Sequence, residues 1–301
     1  VIPGFSDQPI FAQNITRFAG EAVAAVVGEP KALRKFEPDS FPIKWERQPA
    51  VLKPAEATVT GAPVLHSERP DNILTEGYVA RGDAEGAFLN SVYRIENQYE
   101  TPFIEHAYIE PEAGYAFRDG DRIIIQGCTQ APFMNRDSIA DLLDLESENV
   151  RIIPTGCGGG FGSKLDLSYQ PYIALAAWKL NRPVGIVYSR NESMGTTTKR
   201  HPSEISIKVG CDEHCKITAI DFYGIFNTGA YASWGPTVAN RVPVHASGPY
   251  QVANYLAKSR AVHTNNVPAG AFRGFGVPQT AIALETSLSE LAQKAGVDEL
   301  N

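Results

Sequence analysis

Two glycine-rich segments carry the residue types best suited to chemistry. The first is Gly156-Cys157-Gly158-Gly159-Gly160-Phe161-Gly162-Ser163-Lys164, with five glycines in its first seven residues. Without Cβ atoms the backbone can approach a ligand closely, and free amides can cradle an anion. The same composition also describes a flexible turn. The spacing is not the GxxxxGK[ST] of a P-loop, and no acidic residue follows at the distance a dinucleotide fingerprint needs. The second segment, Gly270-Ala271-Phe272-Arg273-Gly274-Phe275-Gly276-Val277-Pro278-Gln279, sets an arginine among glycines with Phe272 and Phe275 on either side. A guanidinium there can offer its planar fork to a phosphate or a carbonyl oxygen. The alternative is a loop leading into a helix, its aromatics serving the core.

Other clusters read as structural. Cys211-Asp212-Glu213-His214-Cys215 lies between two expected strands as a hairpin turn, and a zinc site needs about four ligands that the neighbouring sequence does not supply. His106 and Glu110 fall in an extended stretch before Pro111, where a structural role is expected. Lys199-Arg200-His201 reads as a solvated basic corner or a packing histidine, and Asp137, Asp141 and Asp144 as a solvated helix face.

The elements that must position the loops follow from periodicity. Strands are expected over 15–27 (broken by a turn at Gly20), 43–51, 91–100, 113–116, 121–126, 150–153, 184–188, 203–209 and 216–223, with a turn at Asp119-Gly120-Asp121. A short helix is expected over 31–39, and longer ones over 135–145, 170–180 and 280–295, the last with Leu284, Leu288, Leu291 and Ala292 on one face. The first glycine loop thus follows a strand and precedes a helix; the second directly precedes a helix. The stretch 53–73, with Pro54, Pro63 and Pro70, marks a linker, set at 58–85, between a small unit over 1–57 and a main domain over 86–301. Strands and helices alternate without a strict βαβ rhythm, so the expected class is α+β.

Composition narrows the partners. A net charge of −7 over 301 residues argues against nucleic acid, which demands clustered Lys and Arg. No apolar run approaches the ~20 residues of a membrane span, and VIPGFSDQPIF lacks the features of a signal peptide. Four cysteines are too few to staple a chain of this length, so a reducing, cytoplasmic setting is expected.

Taken together, GGGFGSK (158–164) and AFRGFGVPQ (271–279) resemble the molybdopterin-binding subunits of the xanthine dehydrogenase and aldehyde oxidase family. Asn227-Thr228-Gly229-Ala230-Tyr231, Gly248-Pro249-Tyr250-Gln251-Val252, Thr264-Asn265, His106-Ala107-Tyr108-Ile109-Glu110-Pro111 and Gly127-Cys128-Thr129-Gln130 are similar to the family's pattern as well. The resemblance implies the end of an α/β hammerhead domain over 1–57, followed by most of the first half of the molybdopterin-binding domain. It also implies a molybdenum hydroxylase that places water-derived oxygen on an aldehyde or N-heterocycle carbon at a molybdenum–molybdopterin centre, in the cytosine dinucleotide form if the source is bacterial. Partner domains or subunits would carry [2Fe-2S] clusters and FAD, for which no motif occurs here.

Carried over by position, Gly159, Gly160, Phe161 and Gly162 contact the cofactor, the backbone at 160–161 lying near the molybdenum. Arg273 and Gly274 lie beside metal and pterin. Phe275 faces the substrate ring, Leu165 lines the substrate site, and Arg241 orients a substrate oxygen, with a surface ion pair as its alternative. Two positions depart from the xanthine enzymes: Ile104 stands where they have Gln, and Leu165 where they have a substrate-binding Glu. Losing both polar groups disfavours xanthine, whose polar atoms would be buried unpaired. The family's catalytic Glu falls in a second cofactor half beyond Asn301. A non-catalytic module that binds no cofactor alone is therefore the competing reading.

Overall fold

The structure is a computed structural model in which residues 7–298 are described. The signal-free reading of the N-terminus falls partly on residues 1–6, outside the described residues. The strands are β1 (Ile73–Arg81), β2 (Tyr93–Thr101), β3 (Ala113–Asp119), β4 (Arg122–Gly127), β5 (Val150–Pro154), β6 (Val184–Val187), β7 (Ser203–Cys211), β8 (Ile217–Gly229) and β9 (Asn254–His263). They fall into two compact units, one of residues 7–50 with His106–Thr197 and one of Val51–Glu105 with Thr198 onward. The class is α+β, as expected. No helix among the described residues is long and apolar enough to cross a membrane.

The first unit is built on a four-stranded sheet in the order β5-β4-β3-β6. β4 and β5 run parallel; the β3–β4 and β3–β6 pairs are antiparallel. Asp119 pairs with Arg122 across the hairpin, so the turn is Gly120-Asp121, and the φ of 59° at Gly120 is one that glycine adopts without strain. Helices Pro132–Leu143 and Gln170–Leu180 pack on the sheet. Ile173, Ala174 and Ala177 form the buried stripe of the second helix and meet Ala116, Ile123, Ile125 and Ile139 in the core. That helix ends at Asn181, in the left-handed conformation Asn tolerates.

The second unit holds a five-stranded sheet in the order β1-β9-β8-β7-β2. β8 and β9 are parallel, and the other neighbours antiparallel. In β7, Ile205, Ile207 and Val209 alternate inward, as a strand with one buried face must. Helix Gly235–His245 covers β1 and β9, and helix Val277–Ala295 covers β2 and β7. Between them lie Ile220, Phe222, Phe226, Val238, Val242, Leu284 and Leu291.

Several expectations are corrected. Residues 15–27 and 43–51 form no strand; within 7–50 the regular elements are the short helix Pro30–Leu33 and the 3-10 helix Pro38–Ser40, where a short helix over 31–39 is expected. Val26 and Val27 are each 44% exposed, and with no strand partner for the backbone, β-branched composition alone does not make a ladder. The expected linker over 58–85 contains β1, which pairs along its length with β9. Gly77 and the charged Glu76 and Arg81 hide its alternation, but a Cβ at Gly77 would lie 2.6 Å from the Ala239 carbonyl, so close helix packing requires the glycine. The proline-rich stretch also packs: Val51, Ala57 and Leu65 form a small cluster with Val262. Periodicity does not predict helix Gly235–His245, because Pro236 and Pro243 break its pattern; Pro236 sits in the first turn, where its missing N–H is harmless.

Phe222 is fully buried, so Phe222→Ala should destabilise the second unit by about 3–5 kcal/mol. Urea unfolding measures this, and a loss below about 1 kcal/mol would mean that this core is not packed as described.

Candidate active site

The first glycine loop lies in the first unit, directly after β5. Its backbone enters the left-handed region at Gly159 (φ 103°), Phe161 (φ 51°) and Gly162 (φ 116°). Hydrogen bonds hold the amides on either side of its centre: Gly158 N donates to Glu110 Oε2 (2.8 Å), Gly162 N to Gln130 Oε1 (3.0 Å), and Ser163 N to Gly160 O (3.0 Å). Among the described residues, the amides of Gly159, Gly160 and Phe161 between them have no acceptor. Three successive free amides on a backbone of alternating hand make a concavity suited to an anion or an electronegative oxygen. A Cβ at Gly159 would lie 2.9 Å from Tyr108 Cβ, and one at Gly160 would lie 2.4 Å from Gln130 Oε1, so side chains are excluded from the floor. Phe161, 49% exposed, projects from the loop, and Leu165 is half-buried in the turn Ser163–Leu165 that closes it.

The floor beneath is polar and ordered. Lys164 Nζ, almost wholly buried, donates to Glu110 Oε2 and to the Glu110 carbonyl, both at 2.9 Å, and lies 4.6 Å from the centre of the Tyr108 ring. Partial burial opposes the charge on Glu110, but the hydrogen bonds from Lys164 and the Gly158 amide outweigh it and hold the carboxyl below its usual range. Tyr108 donates to buried Glu112, and burial followed by that bond pushes the phenol up to about 12. Arg190, in the first turn of helix Arg190–Thr196, donates to the carbonyls of Tyr108 (2.8 Å) and Ile109 (2.6 Å). The 106–111 stretch, expected as strand, is instead an irregular segment whose Glu110 serves the loop.

The second loop lies in the second unit, at the N-terminus of helix Val277–Ala295. Lys199 forms a parallel bridge to Ala269, and Gly270 N donates to Lys199 O (2.9 Å). Lys199 Nζ pairs with Glu105 at 2.6 Å, and Arg200 stacks 3.9 Å over Phe272 while donating to the Arg273 carbonyl (2.9 Å). The reading of Lys199 and Arg200 as a solvated corner is therefore corrected: one is buried, the other half-buried, and both hold the loop. His201 is the packing histidine; burial, then the Arg200 charge, lowers its pKa to about 3. Its carbonyl accepts from Gln279 Nε2 (3.0 Å), while buried Gln279 Oε1 has no partner among the described residues.

The Arg273 side chain is exposed and makes no hydrogen bond or ion pair among the described residues. Gly274 (φ 99°) and Gly276 (φ 88°) flank Phe275, itself left-handed (φ 47°); a Cβ at Gly276 would meet Val242 at 2.7 Å. Phe275 packs on the core, with Trp234 at its edge (5.9 Å) and the Arg241 guanidinium 5.7 Å from its centre. Arg241 and Phe275 are thus brought together, a cation–π contact rather than the surface ion pair. Ile104, 42% exposed, bridges to Arg200 in the same unit. Cys211–Cys215 forms the expected hairpin turn, where Asp212 Oδ1 accepts from the amides of His214 and Lys216. Spacing does not reveal Glu110, Gln130, Arg190 and Arg200 as loop-holding residues, since their partners lie far along the chain.

The molybdopterin cofactor-binding domain profile matches residues 65–301. The chain is 35% identical over 98% of its length to the nicotinate dehydrogenase large molybdopterin subunit of Eubacterium barkeri, spanning 69% of that protein. It is 30% identical over 97% of its length to the xanthine dehydrogenase molybdenum-binding subunit of Escherichia coli O157:H7, spanning 39% of it. Among solved structures, quinoline 2-oxidoreductase from Pseudomonas putida 86 superposes with a TM-score of 0.89 at 25% identity, over 99% of this chain and 39% of that one.

His201 stays neutral in the fold but takes up a proton when unfolded at acid pH. Its contribution is present above the unfolded value near 6.5 and is lost as pH falls toward 3. We expect the urea midpoint to drop between pH 7 and pH 5 by more in the parent than in His201→Gln; equal drops would refute a buried neutral histidine.

Proposed function

This chain belongs to the molybdopterin cofactor-binding domain family, and from that premise we propose that it forms part of a molybdenum hydroxylase acting on an aldehyde or an N-heterocycle. The observation that carries the reading is the run of three free amides at Gly159, Gly160 and Phe161, within the segment that carries the family resemblance. These donors fit an oxygen-rich, negatively charged group, and the glycine floor leaves room for one. When bound, the molybdenum–pterin group supplies the two-electron chemistry that puts a water-derived oxygen on an electrophilic carbon; the protein supplies position and electrostatics.

Gly159, Gly160 and Phe161 donate their amides to the cofactor, with Gly162 fixing the turn. Arg273, whose guanidinium has no partner among the described residues, gives its fork to cofactor oxygens, and the adjoining helix N-terminus adds positive potential. Gly274 keeps that approach free of side-chain bulk. Arg241 orients a substrate oxygen and favours negative charge developing on it, while Phe275 offers an apolar edge to a flat substrate. Leu165 and Ile104 put apolar groups where xanthine enzymes have polar ones, which favours an aldehyde or a less polar heterocycle.

The catalytic carboxylate is assigned to a second cofactor half beyond this chain, and electron transfer to [2Fe-2S] and FAD domains or subunits, in a cytoplasmic complex. The cofactor is assigned as the cytosine dinucleotide form if the source is bacterial. On this reading the isolated chain is an inactive module that holds no molybdenum, since half a site forfeits most contacts.

In the assembled enzyme, Arg273→Lys should lower molybdenum content, because an ammonium lacks the planar fork. Phe275→Ala should keep the metal and reduce kcat/KM by on the order of 10²-fold through lost positioning. Metal analysis and steady-state kinetics on an aromatic aldehyde test both. Normal behaviour of both variants would reduce this loop to a structural part.

A further inference from the structure

Both ends of the first glycine loop are tied to one residue. Glu110 N donates to Gly158 O (3.3 Å), and Glu110 Oε2 accepts from Gly158 N (2.8 Å), a two-way clamp where the loop begins. Where the loop ends, Lys164 Nζ reaches the same Oε2 and the Glu110 carbonyl. Glu110 is itself steadied through Arg190, which holds the two preceding carbonyls. The three free amides lie between these anchors. The pair also settles the local charge: buried Lys164 is neutralised by Glu110, so attraction for an anion comes from the amides and not from a bare cation.

We infer that Lys164 and Glu110 are positioning residues for the molybdopterin group: the ion pair sets the spacing of the Gly159–Phe161 amides and cancels the charge behind them. The inference rests on the molybdopterin reading above. It carries a sign that a purely structural pair would not. Removing Lys164 leaves the Glu110 carboxylate unpaired behind the amides, where it repels an anionic cofactor. Removing the Glu110 charge leaves a cation there, which loosens the loop without repelling that cofactor.

The test uses the complete holoenzyme and the variants Lys164→Met, Glu110→Gln and the double variant, with thermal melting to confirm folding. Molybdenum per protein should fall on the order of 10-fold in Lys164→Met, as loss of supporting contacts around a metal site commonly does. It should fall less in Glu110→Gln and recover in the double variant relative to Lys164→Met. The molybdenum kept by Glu110→Gln should give an altered Mo(V) electron paramagnetic resonance spectrum after partial reduction. Equal losses in the two single variants, or unchanged metal content and spectra, would overturn the inference alone. A parent enzyme free of molybdenum would overturn the functional reading and this inference with it.

Discussion

Three adjacent backbone amides must stay without a protein acceptor while the segment carrying them stays fixed. An amide normally finds a partner, and one that is buried without one costs about 1–3 kcal/mol. Leaving Gly159, Gly160 and Phe161 free therefore requires that the residues directly flanking them hold the segment in place. Glu110 takes the amide before the run, Gln130 the one after it, and the turn Gly160–Ser163 closes on itself. Left-handed backbone at 159, 161 and 162 aims the run in one direction, and two of those three positions are glycine. Phe161 adopts the strained conformation with a side chain, and the bonds on both sides hold it there.

The second unit meets a different demand: presenting a charged side chain without burying it. Arg273 is left exposed because its neighbours take up the local bonding capacity. Arg200 stacks on Phe272 and satisfies the Arg273 carbonyl, Lys199 aligns the first residues of the loop, and Gln279 pins the start of the helix to His201. The sheet gives these contacts a rigid origin. Phe275 is anchored in the same core as Phe222 and Leu284, so the loop moves only if the core does. The cost falls on a few buried polar atoms, Gln279 Oε1 among them.

Much of the fold is legible in the sequence. The stretches 113–126, 150–153, 170–180 and 203–223 form the strands and helix their periodicity predicts, because each has a clear apolar face and a turn residue at its end. β1 is not legible, because glycine and charged residues interrupt its alternation and only its pairing with β9 stabilises it. Prolines hide the helix over 235–245, and 15–27 has the composition of a strand although no strand pairs with it.

The chain's sequence by itself determined the two loops and their order. Glycine, arginine and aromatic residues at those spacings are a local property, readable without a partner. It also determined the apolar character of Ile104 and Leu165 and the net charge of −7. Only the tertiary structure decided what holds the loops. Lys164 meets Glu110 across 54 residues, Gly162 meets Gln130 across 32, and Arg200 meets Arg273 across 73. Contacts at such separations leave no periodic trace, because they arise when strands and helices pack and bring distant segments together. For the same reason Lys199 and Arg200, which read as a wet corner, become interior supports once β7 and the loop beside it are in place.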